Sequence, residues 1–153
     1  MACRLSLVKA EAVAARHKNA VVIGADTIGV LEGRILGKPR TVKEAIEMLQ
    51  DMSGKCHTVI TGFTIIDTDT RKIVTQSVDT KVFFRKLTLS EIEFYVNSGE
   101  PMDKAGAYAI QGLGSILVEK IVGDYYNVIG LPLCSLALAL KDFGIDVLAT
   151  GEG

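Results

Sequence analysis

Two short phrases in this sequence carry residues suited to phosphate chemistry. Gly24-Ala25-Asp26-Thr27 closes the apolar run 20–23, and Gly37-Lys38-Pro39 follows further along the chain. The apolar run predicts a buried strand, and open α/β folds bind their ligands at the carboxyl ends of such strands. A carboxylate there can accept a proton from an attacking water, and a lysine can bind phosphate oxygens. The sequence therefore predicts Asp26, at the end of a strand, as a catalytic residue.

The elements that must position these residues alternate between helical and strand-like periodicity. Apolar residues spaced by three and four predict helices at 4–16, 41–52, 88–98 and 133–143, the last of them well buried. Runs rich in β-forming residues predict strands at 21–24, 28–31, 35–36, 58–67, 73–84 and 115–122. The runs 58–67 and 73–84 are expected to pair as a hairpin. One α/β domain spanning residues 1–153 follows from this pattern.

Two of the predicted helices begin with a capping-box pattern. Thr41 is followed by Glu44, and Thr88 is followed by Glu91. In such a box the threonine hydroxyl accepts from the glutamate amide, and the glutamate side chain accepts from the threonine amide. Both helix starts are therefore expected to be fixed by local hydrogen bonds.

The composition limits the classes of partner. The chain has 153 residues, with 17 Lys and Arg against 18 Asp and Glu and a formal charge of −1, so we expect no nucleic-acid or anionic-membrane surface. No apolar run approaches about 18 residues, and the N-terminus lacks the order of a secretion signal. We expect a cytoplasmic protein. Structural or surface roles are expected for the isolated cysteines and histidines, namely Cys3, Cys56, Cys134, His17 and His57.

Two glycine-containing segments match nucleotide-binding loops only superficially. The segment 33–39 is one residue short of a phosphate loop, and Pro39 stands where a magnesium-binding Ser or Thr would be. Gly112-Leu113-Gly114 lacks the third glycine and the following helix of a dinucleotide fingerprint. We expect no Walker or Rossmann site, and the second segment is predicted to be a turn before a strand.

Five phrases together resemble one family. They are Gly24-Ala25-Asp26-Thr27, Gly37-Lys38-Pro39, the run 99–108, Ile110-Gln111-Gly112 and the run 126–132. In this order they resemble the Maf family of nucleotide pyrophosphatases over nearly the whole chain. The resemblance implies an α/β fold with an elongated mixed sheet flanked by helices, and two lobes around a nucleotide cleft. It also implies hydrolysis of a nucleoside triphosphate to the monophosphate and pyrophosphate, and a homodimer.

The resemblance also implies roles for individual residues. Asp26 is the expected proton acceptor, and Lys9 and Lys38 match positions that contact phosphates. Lys104 lies in a shared phrase and is expected to bind substrate. Taken alone, Asp26 also fits a helix or turn cap, Lys9 a solvated helix residue and Lys104 a loop charge. The ordered phrases favour the functional interpretation of Asp26, and both interpretations stay open for Lys9 and Lys104.

A divalent cation, Mg²⁺ or Mn²⁺, is the cofactor that the resemblance implies. Such an ion neutralises phosphate oxygens and lowers the pKa of a bound water, and it needs only one or two protein carboxylates. Asp26 with Glu100 or Asp103 is the expected ligand set.

Two residues resemble the family subgroup that acts on dTTP and UTP. That subgroup carries threonine after the catalytic aspartate and glutamine in an Ile-Gln-Gly phrase, as Thr27 and Gln111 do here. A side-chain amide can donate to and accept from a uracil-type edge in one plane, so Gln111 suits this substrate class.

The start of the chain departs from the family pattern. Family members open with a strand and a Ser-Pro-Arg-Arg phrase, whose arginines look like part of the triphosphate site. Here the run 4–10 aligns instead with a later helical phrase of the family. Losing two guanidinium groups removes bidentate phosphate contacts. We therefore expect much reduced turnover. The chain is either a truncated member of the family or a genuine short member with altered function, and the start of the first predicted helix without a cap favours truncation.

Two other functions stay open at this point. One is a nucleotide-binding regulator without catalysis, since the family has been associated with inhibition of septum formation during cell division. The other is a pyrophosphatase for deaminated or methylated purine triphosphates, which Thr27 and Gln111 disfavour.

Overall fold

The fold was obtained as a computed structural model that describes residues 1–149, so the last four residues of the predicted domain lie outside it. The helices are α1 Ala2–Ala14, α2 Val42–Met52, α3 Leu89–Asn97, α4 Tyr125–Ile129 and α5 Leu133–Lys141. The strands are β1 Val21–Leu31, β2 Arg34–Leu36, β3 Cys56–Asp67, β4 Ile73–Phe84 and β5 Val118–Val122. Three 3-10 helices span Glu100–Asp103, Ala105–Ala107 and Gly112–Leu117. No helix among the described residues is long and apolar enough to cross a membrane.

The strands form one five-stranded sheet in the order β2-β1-β3-β4-β5. Gly29 pairs with Leu36 in the antiparallel β1–β2 hairpin, and Lys81 pairs with Val122 between β4 and β5. β3 and β4 are neighbours, as the hairpin prediction required. The predicted α/β architecture with flanking helices is confirmed, but the sheet is antiparallel where a mixed one was expected.

The last strand is shorter than its sequence pattern indicated. The apolar run predicted a strand at 115–122, but β5 begins only at Val118. Residues up to Leu117 form a 3-10 helix that starts at Gly112, whose φ of 74° lies in the left-handed region. Glycine adopts this conformation readily, so the chain turns there instead of extending.

The two capping boxes differ in detail. At α3 the predicted box is complete, because Glu91 N donates to Thr88 Oγ1 and Thr88 N donates to Glu91 Oε2 at 2.8 Å. At α2 the Thr41 hydroxyl accepts from Glu44 N, but the Glu44 carboxylate accepts from Arg40 N at 2.8 Å. The expectation that Glu44 binds the Thr41 amide is therefore wrong by one residue, since its side chain reaches further back.

The first of two compact units comprises Met1–Thr27, Thr61–Val78 and the described residues from Gly130 onward. Its larger apolar cluster joins Phe63 and Ile65 of β3 to one face of α5. Leu138 on the same helix is 61% exposed. The helix is thus amphipathic, and the expectation that it is well buried is wrong because only one face packs against apolar partners.

The second unit comprises Ile28–Ile60 and Asp79–Ile129. Its core is built where α2 and α3 pack on each other and on the strands, with Leu49, Val82 and Ile92 almost fully buried. Burial of such side chains contributes roughly 1.5–3 kcal/mol each. Most apolar residues on one face of each of these helices supply that core, but Val42 and Leu89, which the helical spacing also placed on those faces, are each 51% exposed.

A histidine lies buried within this second unit. His57 is 2% exposed, and its Nε2 atom lies 2.8 Å from the Tyr108 hydroxyl. The Phe84 and Tyr108 rings meet the imidazole edge-on, with centroids 5.2 and 5.3 Å away. Burial lowers the pKa of His57 to about 4, so the imidazole is neutral at pH 7.

We expect acid to destabilise the fold through His57. The pKa falls from 6.5 in the unfolded chain to about 4 in the folded one. Between these values the unfolded state binds more protons, so stability is complete above pH 6.5 and is lost as the pH falls toward 4, by about 3 kcal/mol at most. Melting temperatures measured from pH 7.5 to 4.5 test this. His57→Phe should flatten the dependence of melting temperature on pH, and His17→Gln at an exposed position should not. Equal dependence in the parent chain and both variants would contradict the assignment to His57.

Candidate active site

Two glycines let α1 lie directly on the sheet of the first unit. A Cβ atom at Gly24 would lie 2.5 Å from the Ser6 carbonyl oxygen and 2.8 Å from the Ala10 amide. A Cβ atom at Gly62 would overlap the Cys3 amide. Side-chain carbons do not approach backbone atoms so closely, so only glycine at these two positions permits this packing.

The close approach of α1 brings Lys9 to Asp26. Lys9 Nζ lies 2.6 Å from Asp26 Oδ1 and 3.3 Å from the Ala25 carbonyl oxygen. The Asp26 side chain is 16% exposed and the Lys9 side chain 56% exposed. The carboxylate is therefore fixed in place yet still reached by solvent, while the ammonium group is open enough to meet an anion.

Asp26 lies inside β1 and not at a strand end. The sequence suggested separate strands at 21–24 and 28–31, but one strand runs from Val21 to Leu31. The Gly24-Ala25 step is a point of helix packing and does not break the strand. The predicted position of Asp26 at a carboxyl edge is therefore wrong, although the residue is accessible.

Thr27, next to the carboxylate, links two of the five phrases. Its hydroxyl lies 2.8 Å from the Thr61 hydroxyl and donates to the Gly130 carbonyl at 3.4 Å. Gly130 belongs to the phrase 126–132, so the structure places the end of that phrase against Thr27. Sequence reasoning did not single out Thr61, since a lone threonine in a strand carries no signal beyond β-propensity.

The second unit holds the other predicted substrate-binding residues. The Gly106 amide donates to the Gly37 carbonyl at 2.9 Å, which ties the Gly37-Lys38-Pro39 phrase to the phrase that contains Lys104. Lys104 Nζ lies 2.7 Å from Asp103 Oδ1. The Lys104 ammonium group, and more weakly that of Lys38, hold the pKa of Asp103 below its ordinary value. Lys104 thus pairs directly with this exposed acid, and Lys38 adds a weaker favourable charge.

Glu100 and Gln111 differ sharply in how they are held. The Glu100 carboxylate accepts hydrogen bonds from the Tyr95 hydroxyl and from the amides of Leu113 and Gly114. Gln111 is exposed, and its side chain forms no hydrogen bond within the described residues. The sequence singled out Glu100 for its charge but gave no sign that Tyr95 would be its partner.

Comparisons with known proteins identify the family of this chain. The sequence model described as Maf-like protein matches residues 1–143. The chain belongs to the Maf-like family. It is 51% identical over 142 residues to a dTTP/UTP pyrophosphatase of Methanococcoides burtonii, covering 93% of this chain and 73% of that protein. It is 54% identical over 143 residues to a dTTP/UTP pyrophosphatase of Bacillus cereus strain G9842, covering 94% and 74%.

A third relative matches the same extent of the chain. It is a dTTP/UTP pyrophosphatase of Dictyoglomus turgidum, 48% identical over 143 residues, with 94% of this chain and 74% of that protein covered. The resemblance to the Maf family predicted from the five phrases is confirmed.

The Maf-like chain offers a metal ion one well-placed carboxylate. No group of three or more His, Cys, Asp or Glu side chains that could hold a metal lies in the part of the chain the structure describes. Lys9 binds Oδ1 of Asp26, and Oδ2 accepts no hydrogen bond from the described residues. Magnesium in phosphoryl-transfer sites is commonly held by one or two carboxylates together with substrate phosphates. Asp26 therefore fits a cation that binds together with a triphosphate.

Proposed function

We propose that this chain is a nucleoside triphosphate pyrophosphatase that hydrolyses dTTP and UTP to the monophosphate and pyrophosphate. The observation that carries the proposal is the half-buried, solvent-reached carboxylate of Asp26 held 2.6 Å from Lys9. The names of the relatives, which match at about half identity over most of the chain, support the same substrates.

Asp26 is proposed to accept the proton of the attacking water. Lys9 binds Oδ1 and fixes the orientation of the carboxylate. A general base positioned in this way contributes typically 10²–10⁴-fold to a rate. The exposed part of the Lys9 ammonium group can bind a phosphate oxygen as a compact point charge.

A divalent cation would be held by Asp26 and by the phosphates of the substrate. When bound, Mg²⁺ or Mn²⁺ neutralises phosphate charge and lowers the pKa of water. Glu100 and Asp103 stay predictions as further ligands. The Glu100 carboxylate is engaged by three donors, and the Asp103 side chain is 75% exposed and paired with Lys104.

Substrate binding is proposed to use three residues of the second unit. Lys38 and Lys104 are assigned to the phosphates and Gln111 to the base, with Thr27 of the first unit as the other residue typical of the dTTP/UTP subgroup. The homodimeric state and the cytoplasmic location also stay predictions. Light scattering by the purified chain would test the first of them.

A panel of nucleotides tests the proposed function. The chain is incubated with dTTP, UTP, dCTP, dATP, dGTP, ITP and 7-methyl-GTP in the presence of Mg²⁺ or Mn²⁺, and pyrophosphate release is followed. We expect kcat/KM for dTTP and UTP to exceed the others at least about tenfold, since paired polar contacts to a base edge discriminate strongly. A preference for ITP or 7-methyl-GTP would overturn the substrate assignment. Tight dTTP binding without any hydrolysis would favour the regulatory alternative.

A further inference from the structure

Two side chains in the second unit accept hydrogen bonds from the backbone on both sides of Gln111. Glu100 Oε1 accepts from the Tyr95 hydroxyl at 2.8 Å and from the Gly114 amide at 2.9 Å. Glu100 Oε2 accepts from the Leu113 amide at 3.1 Å. The Tyr95 hydroxyl in turn accepts from the Ala109 amide at 3.1 Å. These two side chains are called the Tyr95–Glu100 clamp below.

The clamp holds a short segment by both of its ends. Ala109 lies two residues before Gln111, and Leu113 and Gly114 lie two and three residues after it. All three amides donate to the clamp. The backbone of Gln111 is therefore restrained from both directions, while its own side chain is exposed and forms no hydrogen bond within the described residues.

Two glycines make room for the clamp. A Cβ atom at Gly112 would lie 2.5 Å from Glu100 Oε2, and one at Gly114 would lie 2.7 Å from the Tyr95 hydroxyl. The Gly112-Leu113-Gly114 segment, which is no dinucleotide fingerprint, thus allows the carboxylate and the phenol to reach the backbone. Close approach of polar groups to a backbone is a common reason for glycine.

The protonation states suit this network. Partial burial raises the pKa of Glu100, but the Gly114 amide, the Tyr95 hydroxyl and the Leu113 amide outweigh it and hold the pKa below its ordinary value. Burial, as the largest cause, raises the pKa of Tyr95, so the phenol keeps its proton. A charged acceptor therefore faces three neutral donors, which makes these hydrogen bonds stronger than those between neutral groups.

We propose that Tyr95 and Glu100 are positioning residues that fix Gln111 and thereby set the base selectivity of the pyrophosphatase. This inference rests on the proposed function, in which Gln111 contacts the base. A planar amide discriminates between bases only if its donor and acceptor are held in register, so the backbone that carries it must be restrained before substrate binds.

Tyr95→Phe and Glu100→Gln test the clamp, with Tyr125→Phe and Glu93→Gln as matched controls at exposed positions. The measurements are kcat/KM for dTTP and for dCTP, the melting temperature, the Mg²⁺ concentration that gives half-maximal rate, and hydrogen exchange at the Leu113 and Gly114 amides. We expect the dTTP-to-dCTP ratio to fall about tenfold in both clamp variants, through KM more than kcat. Exchange at the two amides should rise, and the controls should match the parent chain.

Each alternative has its own outcome. Unchanged selectivity with faster amide exchange would overturn the inference, because the clamp would then serve stability alone. A Glu100→Gln variant that needs far more Mg²⁺ while Tyr95→Phe does not would point instead to Glu100 as a metal ligand. If the parent chain hydrolyses no nucleotide, the proposed function fails, and the clamp is judged by the melting-temperature shifts that dTTP and dCTP induce. An equal ratio of the dTTP-induced shift to the dCTP-induced shift in the parent chain and in the clamp variants would then refute the inference that the clamp sets base selectivity.

Discussion

Asp26→Asn is expected to lower kcat for dTTP hydrolysis by about 10²–10⁴-fold, the usual contribution of a general base. The amide has nearly the shape of the carboxylate but cannot accept the proton of the attacking water. Lys9 loses its charged partner in this variant, but the β1 backbone around it is unchanged. Initial rates of pyrophosphate release at saturating dTTP and Mg²⁺ measure the effect.

Asp51→Asn is the matched control for this variant. Asp51 is an exposed acid at the end of α2, and its side chain lies 3.6 Å from that of Arg34. Exposed pairs of this kind contribute roughly 0–1 kcal/mol, so neither rate nor stability should change measurably. An Asp26→Asn variant that keeps its rate within a factor of about three would remove Asp26 from the chemistry.

Gly24→Ala is expected to lower the stability of the fold strongly. The new methyl group would stand 2.5 Å from the Ser6 carbonyl oxygen, and also within 3.0 Å of the Ala10 amide and side chain. Most of these atoms are backbone, so relief requires α1 to move off the sheet. Overpacking typically costs 1–3 kcal/mol, and we expect about 3 kcal/mol here, a fall in Tm of about 6–12 °C.

Gly37→Ala is the comparison for stability, because a Cβ atom at Gly37 meets nothing within 4 Å. Its melting temperature should lie within about 2 °C of the parent value. Gly24→Ala should also lose hydrolysis at temperatures where it is still folded, since displacement of α1 separates Lys9 from Asp26. A Gly24→Ala protein that melts like the parent would show that α1 does not pack as described.

Local features of this fold could be read from the sequence wherever neighbouring residues decide them. The capping box at Thr88 and the β3–β4 hairpin depend on side chains and turns close in the chain, and both are present. The α2 cap departs by one residue because Glu44 can reach either of two adjacent amides. The continuous strand through Gly24 was missed, since a glycine that admits a helix looks the same in sequence as one that ends a strand.

In the candidate site, too, the sequence indicates individual residues but not the contacts between them. Asp26 and Lys9 could each be named from the shared phrases, but their ion pair depends on how α1 packs over Gly24. Glu100 could be named for its charge, yet its role depends on Tyr95 and on two glycines that expose backbone amides to it. Contacts of this kind are decided by tertiary packing, which no local pattern encodes.

Hydrolysis of a nucleotide phosphoanhydride by this chain is proposed to depend on the carboxylate of Asp26. Phosphorus NMR of dTTP incubated with the chain and Mg²⁺ tests this claim most directly, with the Asp26→Asn protein run in parallel. We predict dTMP and pyrophosphate in equal amounts from the parent chain and almost none from the variant. The appearance of dTDP with inorganic phosphate, or equal pyrophosphate from both proteins, would contradict it.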